Sequence, residues 1–554
     1  MLHTAPAEPR PTDVLIAGAG PVGLALALDL GLRGIPTLVL DGDPIQATER
    51  RNRRANAINT RAMEYMRRLG VSPDIHRKAA LARRAVRDVA FVTSLTGHEL
   101  TRFVDAFESS PEPPPPGLSP EEYLRIDQDE IMAILRQHAA ACASVRILER
   151  TRLSAFREET DGIHATTDTG LTLHARWLVG ADGGASTVRR LSGIAFSGDG
   201  GRAQNLNITC RAAEVDAVNR HADAAIFWLV NPRADGFCGS DGQTFRLTLM
   251  DVTPDQEAAV RADPQPWIEA ACGAPVSAEV LSIDGWTAHH LVASSYRRGR
   301  VFLAGDAAHL HPPTGGLGMN TGLGDASNLG WKLAAVAQGW GGEALLDSYS
   351  DERRPHGATV VAQANLQYDR RPAAFHKLGL EDAGPAADAV RAATAAEIRA
   401  AKMTEFFSRG LVLGQTYRSS VIVDAGEPVI NRDIVTYVPT AQPGARLPHA
   451  MLGQVSVYDL LSPERCTLLA VGDEGRRAAA ATLVAAAAAA VPLHLVECPQ
   501  DCLAGWEYPL LILRPDGHVA WRGRTAPDGA VLRQIAGKAP AGVSPAVRQE
   551  GTVA

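Results

Sequence analysis

A chain of 554 residues is longer than the roughly 250–300 residues that one hydrophobic core supports, so two to four domains are expected. With 45% hydrophobic and 21% charged residues it has the composition of an ordinary globular protein. A net charge of -7 gives no pull toward nucleic acid or an anionic membrane, which leaves a small molecule as the favoured partner.

The opening residues, MLHTAPAEPRPTD, lack a charged region followed by an apolar one, and no apolar run nears the roughly 20 residues that span a bilayer. From Asp13 the chain reads DVLIAGAGPVGLALALDLGLRGIPTLVLDGDP, a strand, a glycine-rich turn, a helix and a second strand. Gly18, Gly20, Pro21, Val22 and Gly23 lie at the turn, and Asp41 ends the second strand 23 positions after Gly18. That is the full context of a dinucleotide cradle. The first glycine permits the turn, the second lets backbone approach a pyrophosphate, the third lets helix and strand pack, and the helix N-terminus stabilises phosphate charge. Asp41 would accept hydrogen bonds from an adenosine ribose. The cradle alone suits NAD, NADP or FAD.

A basic segment, ERRNRRANAINTRAMEYMRRLG, is expected to be helical up to Leu69 and to stop at Gly70. Residues 84–104 alternate like strand, six prolines in SSPEPPPPGLSP mark a loop, and EEYLRIDQDEIMAILRQHAA reads as helix. Strand returns in LTLHARWLVGADGGAST, and residues 199–290 alternate as an inserted, mainly antiparallel sheet. GRVFLAGDAAH is another apolar strand ending in a charged turn, and NLGWKLAAVAQGW and the Ala-rich stretch 380–408 are helical. Beyond about residue 425 a small α/β unit follows, with an Ala-rich helix at 478–490. The seven cysteines show no CxxC and no metal-ligand spacing, so no metal and a reducing cytoplasm are expected.

Between the charged turn and the helix lies HPPTGGLGMNTGLGD, His311 to Asp325, with Gly315, Gly316 and Gly318 just ahead of a strong helix pattern. Backbone N–H groups there can face something planar that is negative on one edge.

Taken together, GAGPVG, GADGGASTVRRLSG (180–193) and GDAAHLHPPTGGLGMNTGLGDASNLGWKL (305–333) resemble, in order, the three signatures of the FAD-dependent aromatic-ring monooxygenases. The resemblance runs on to LLDSYSDERRP and covers about the first 370 residues, and the C-terminal unit resembles the thioredoxin-like appendage of the phenol hydroxylase and polyketide hydroxylase branch. It implies an α/β fold: a Rossmann-like FAD-binding domain (1–75, 105–198, 285–380) and an inserted, mainly antiparallel substrate-binding sheet (76–104, 199–284). A helical connector (381–424) and a thioredoxin-like C-terminal domain (425–554) complete it. It further implies that Asp306 bonds the ribityl chain, that Asp182, with Gly183, Ser186 and Arg189, lies near the pyrophosphate, and that Arg54 and Gln128 lie against FAD. Pro313, Gly316, Leu317, Gly318, Met319 and Asn320 would then form the bed of the isoalloxazine ring.

The implied reaction is hydroxylation of a phenolic ring. NADPH or NADH reduces FAD, O2 adds to give a flavin hydroperoxide, and the distal oxygen passes to a small aromatic substrate. No second nucleotide-binding fold is present, in keeping with relatives whose nicotinamide binds transiently on the FAD domain. Where phenol-hydroxylating relatives often carry Asp or His, this chain has Asn56, an amide that cannot act as a base at neutral pH but can orient a substrate. Arg246, on the strand TFRLTLM, and His289 are further candidates for the substrate pocket. His289 and His290 point to opposite faces of an extended strand, so at most one lines a cavity. Trp228 and Phe245 are expected in the core. The C-terminal unit is expected to be structural or a contact in a homodimer, since its nearest thiol pair, Cys498 and Cys502 in CPQDC, is four apart and off the expected strand-to-helix turn. Two other activities compete: tailoring of a polycyclic natural product, which shares every motif, and a flavin-binding redox sensor without catalysis. A halogenase would need a Trp-rich signature and an active-site lysine, and no such signature occurs.

Overall fold

The computed structural model describes residues 12–42, 57–81, 87–107, 117–212, 214–240, 242, 244–424, 426–431 and 433–539. Arg54 and Asn56 lie outside the described residues.

The first sheet has the strand order Arg297–Arg298, Val301–Leu303, Thr172–Gly180, Thr12–Ala17, Thr37–Asp41, Val145–Glu149. Its four inner pairings from Val301–Leu303 to Val145–Glu149 run parallel, and the short apolar runs VLIA, LVL and WLV are buried on both faces, as parallel strands require. In register, Ala17 lies beside Gly180 and Leu40, and Gly180 beside Leu303. The carboxyl ends of three strands distant in sequence therefore share one edge, where open α/β sheets bind ligands.

The second sheet runs His309–Leu310, Glu279–Ala293, Phe196–Arg211, Phe245–Leu249, Gly236–Ser240, Ile226–Leu229, Val89–Val92, Glu99–Phe103. All its pairs are antiparallel except Ile226–Leu229 with Val89–Val92. One face, carrying Ala90, Leu229, Phe245 and Leu247, packs on helices Pro254–Ala262 and Gln265–Cys272. The other carries Phe91 and Trp228, stacked at 5.9 Å, and meets Tyr368 of the long helix Glu343–Asp369 and Phe406 of Pro385–Phe406. Trp228 and Phe245 are thus both core residues, on opposite faces.

The C-terminal sheet, ordered Leu493–Cys498, Cys466–Val471, Leu510–Leu513, Val519–Gly523, has one parallel pair and two antiparallel pairs, a thioredoxin-like arrangement. Its Leu468, Ile512 and Leu532 share a core with Trp331, Trp340 and Leu345 of the FAD region. Buried charge reinforces this seam. Glu352 accepts hydrogen bonds from Arg514 (2.7 and 2.9 Å), Lys332 (2.8 Å), Asn328 (2.7 Å) and Ser419 (2.7 Å), and Glu64 pairs with Arg446.

Three expectations need correction. The helix read from Glu121 starts at Gln128, because Leu124–Arg125 pairs as strand with Ala57–Ile58. The Ala-rich helix starts at Gly472, six residues early, with Asp473 and Glu474 complementing its N-terminal dipole. Cys498 ends a strand and Cys502 precedes the helix Leu503–Trp506, so the pair does occupy a strand-to-helix turn. Burial pushes the Cys498 thiol up to about 12, which suppresses the thiolate that redox exchange needs. None of the described helices is long and apolar enough to cross a membrane.

Candidate functional site

Each of the three strands ending at the shared edge is followed by one of the glycine motifs. After Ala17, a Cβ at Gly18 would overlap the Ala181 carbonyl and one at Gly23 the Gly18 carbonyl, so both glycines are fixed by packing. Gly20 differs. Among the described residues no atom beyond its chain neighbours lies within 4 Å of where its Cβ would be, and it opens the helix Pro21–Leu32, which has no side-chain cap. Open space before an uncapped helix N-terminus fits a pyrophosphate. Val22 wedges between Gly305 and Gly322, where added Cβ atoms would meet it at 3.0 and 2.5 Å, and so joins the first motif to the third. Asp41, at its strand end, is buried and accepts from Arg136 at 2.6 Å. Gln128 is the first residue of its helix, half-buried, with its amide 3.7 Å from Met132 Sδ.

In the second motif the Asp182 carboxylate accepts from Ser186 Oγ (2.5 Å) and from the Thr187 and Val188 N–H groups (2.7 and 3.1 Å), so it organises the turn. Arg189 stacks over Phe196 at 3.9 Å. In the third, Asp306 follows the strand Val301–Leu303 and is exposed at the edge.

The loop beyond it begins as the edge strand His309–Leu310 of the second sheet. Thr314 Oγ1 donates to the Ala364 carbonyl (2.6 Å), the Gly316 N–H donates to the Pro313 carbonyl (3.1 Å), and Gly315 and Gly316 both adopt the left-handed region, φ 73° and 65°. Gly316 has open space on its Cβ side, and the helix Gly318–Ala337 that follows has no side-chain cap. This is a backbone bed for a planar group whose facing edge is negative. Leu317 turns away to pack with Val360 and Leu411, Met319 packs on the core, and Asn320 fastens the loop by donating to the Gly316 carbonyl (2.8 Å) and accepting from the Asn59 N–H (2.9 Å). These three contribute position and backbone, since their side chains are engaged inside the chain.

Two groups were not legible as site residues. Asp325, fully buried, accepts from the Gly305 N–H (3.0 Å) and Arg353 (2.8 Å) and lies 3.0 Å from His309 Nε2, so one carboxylate ties the charged turn to the loop stem. Its position inside an apolar helix was the available signal. His311 lies beside Gly318, and its Nδ1 donates to the Pro312 carbonyl at 2.7 Å. Burial, with His309 nearby, pulls it down to about 4, so the ring is neutral at pH 7 and Nε2 is an acceptor, with no hydrogen-bond partner among the described residues.

His289 lies on the strand Glu279–Ala293. Its Nδ1 accepts from the Gly201 N–H at 3.1 Å, on the face away from the long helix. His290 takes the other face, and the pairing of Leu291 with Leu310 sets it opposite His311. Arg246 shares a face with Thr248, Phe237 and Trp228, because those residues pair directly across neighbouring strands. On that face Asn207 accepts from Thr248 (3.0 Å) and Trp286 (3.2 Å), and Asn205 accepts from Tyr368 (2.8 Å).

A family profile described as an FAD binding domain matches residues 11–364, and one described as the C-terminal part of aromatic-ring hydroxylases matches residues 440–539. The chain belongs to the FAD-binding aromatic-ring hydroxylases. Rifampicin monooxygenase of Rhodococcus hoagii is 33% identical over 92% of this chain and 95% of its own length. The 2,4-dichlorophenol 6-monooxygenase of Delftia acidovorans is 29% identical over 94% of this chain and 96% of its own. The structure of the rebeccamycin biosynthetic enzyme RebC with reduced flavin superposes with a TM-score of 0.82 at 34% identity, covering 96% of this chain and 100% of that one. This hydroxylase is therefore an enzyme, with FAD as cofactor and NAD(P)H as reductant.

Proposed function

We propose that the enzyme hydroxylates a phenolic ring held between the glycine loop and the polar face of the second sheet. The open bed at Gly316, set between the exposed Asp306 and that face, carries this reading. Bound FAD would supply electron transfer and oxygen activation. The helix N-terminus at Gly20 to Gly23 would hold its pyrophosphate, Asp41 its ribose and Asp306 its ribityl chain, with Arg54, Gln128 and Asp182 alongside. The N–H groups at the start of the helix Gly318–Ala337, with the dipole of that helix, would stabilise negative charge on the pyrimidine edge.

On the substrate side, Arg246 would attract a phenolate and Asn56 would orient the ring. His311, neutral with a free Nε2 lone pair, would accept the phenolic hydrogen bond, and His290 opposite it takes the place first given to His289. His311→Ala and His290→Ala are each expected to lower coupled hydroxylation about tenfold or more, while His289→Ala changes it less than about twofold. Product per NADPH consumed is the readout, and equal effects at His289 and His290 would refute the assignment of faces.

Likeness to a rifampicin enzyme and a rebeccamycin biosynthetic enzyme supports a second reading, tailoring of a polycyclic natural product. The deciding experiment measures NADPH and NADH oxidation by the FAD-loaded protein with one-ring phenols, naphthols and polycyclic phenols, scored for hydroxylated product. Product from one- or two-ring phenols supports the first reading, product only from polycyclic ones the second, and none with any phenol overturns both. The seven unpaired thiols are in keeping with a reducing cytoplasm.

A further inference from the structure

A second constellation of ligand-type side chains lies far from the glycine cradle, at the tip of the hairpin made by Leu153–Glu159 and Gly162–Thr167 and at the start of Thr172–Gly180. His164 and His174 are direct partners across two antiparallel strands, so both rings leave the same face, with centroids 4.7 Å apart. The turn residue Asp161 reaches both: Oδ1 is 3.1 Å from His164 Nε2 and Oδ2 is 3.5 Å from His174 Nε2. Glu159 adds an oxygen 3.6 Å from His164 Nε2. Gly162 makes the approach feasible, since a Cβ there would lie 3.0 Å from His174 Nε2.

Two imidazoles and one carboxylate are a ligand set suited to zinc, and a tetrahedral ion with bonds of about 2.0 Å separates its ligand atoms by about 3.3 Å. The observed separations of 3.1 and 3.5 Å bracket that value. We propose that His164, His174 and Asp161, whose ligand atoms all lie within 4.8 Å of one another, form a three-ligand surface site for one divalent transition-metal ion of the zinc class, with water completing its shell. Arg157, opposite His164 in register, holds Glu159 in an ion pair beside the site. From His174 the strand runs six residues to Gly180 before reaching the cradle, about 20 Å away, so the ion staples the hairpin and takes no part in oxygen transfer.

The test uses the FAD-loaded full chain. Calorimetric titration with Zn2+ and the visible absorption of bound Co2+ should show one saturable site, and Zn2+ should raise the melting temperature by mass action. His164→Ala/His174→Ala should remove that one equivalent, and Asp161→Asn should weaken it about tenfold or more, with FAD absorbance unchanged. X-ray absorption at the zinc edge of the wild-type chain with one equivalent bound should show two imidazole nitrogens, which needs no variant to fold. No saturable binding, unchanged stoichiometry in the double variant, or a first shell without two imidazoles would each overturn the proposal.

Discussion

Replacing Gly20 by valine is expected to leave the fold intact and abolish FAD retention. Gly20 has φ -72° and ψ 179°, which any residue adopts, and its Cβ would meet no atom of the described residues beyond its chain neighbours, so the apo form should keep its stability to within about 0.5 kcal/mol. The branched side chain would instead fill the space before the uncapped helix N-terminus, where a pyrophosphate must approach. A loss of at least about 100-fold in FAD affinity, about 2.7 kcal/mol, is expected. Gly18→Ala should behave oppositely and damage folding itself, because its Cβ collides with backbone. Flavin fluorescence titration and apo-protein melting separate the two. Near-normal FAD binding by Gly20→Val would remove the cradle from the proposed site.

Glu352→Gln should destabilise the chain by about 3–5 kcal/mol, the usual result of stripping one partner from a buried ion cluster. Glu352, Lys332 and Arg514 all have fully buried side chains, so the variant leaves Lys332 without its paired counter-charge and Arg514 with Asp516 alone. Burial already pulls Lys332 down to about 8 despite Glu352, yet it remains protonated at pH 7. Burial acts against the charged form of Glu352 too, but Arg514 and Lys332 outweigh it and hold the carboxyl near 2, below its ordinary 4.5. Its folded value is the lower one, so its stabilisation is complete above about pH 4.5 and fades as pH falls toward 2. The shift corresponds to about 3 kcal/mol at neutral pH. Chemical denaturation from pH 7 to pH 3 should show a steeper acid decline in the wild type than in Glu352→Gln. Glu64, held near 2 by Arg446, leaves part of that slope in the variant. Parallel curves would mean that Glu352 is not the charged hub of the seam.

The strand, turn and helix around Gly18 to Gly23 were readable because fixed spacing and local backbone demands coincide there. Motifs at 180–193 and 305–333 were readable through their resemblance to the family's signatures, and their convergence follows from a parallel sheet aligning strand ends. Side-chain direction was harder. His289 and His290 are indistinguishable by type, and only the pairing of Leu291 with Leu310 separates them. Acids inside helices, such as Asp325 and Glu352, look like solvated positions until partners from elsewhere in the chain arrive, Arg353 for one and Arg514 for the other. Asp182 is legible as a motif member, while its task of receiving three hydrogen bonds depends on how the turn closes.

The short strand His309–Leu310 belongs to the second sheet, yet it begins two residues after the charged turn of the first and ends where the glycine loop begins. No flexible spacer intervenes between the two. A shift of the strand Glu279–Ala293, such as a bulky ring wedged against Trp286 or His290 would impose, is therefore delivered along the backbone to Gly315 and Gly316. The second sheet and the glycine loop are thus one continuous piece of backbone, with only His311 to Thr314 between the edge strand and Gly315.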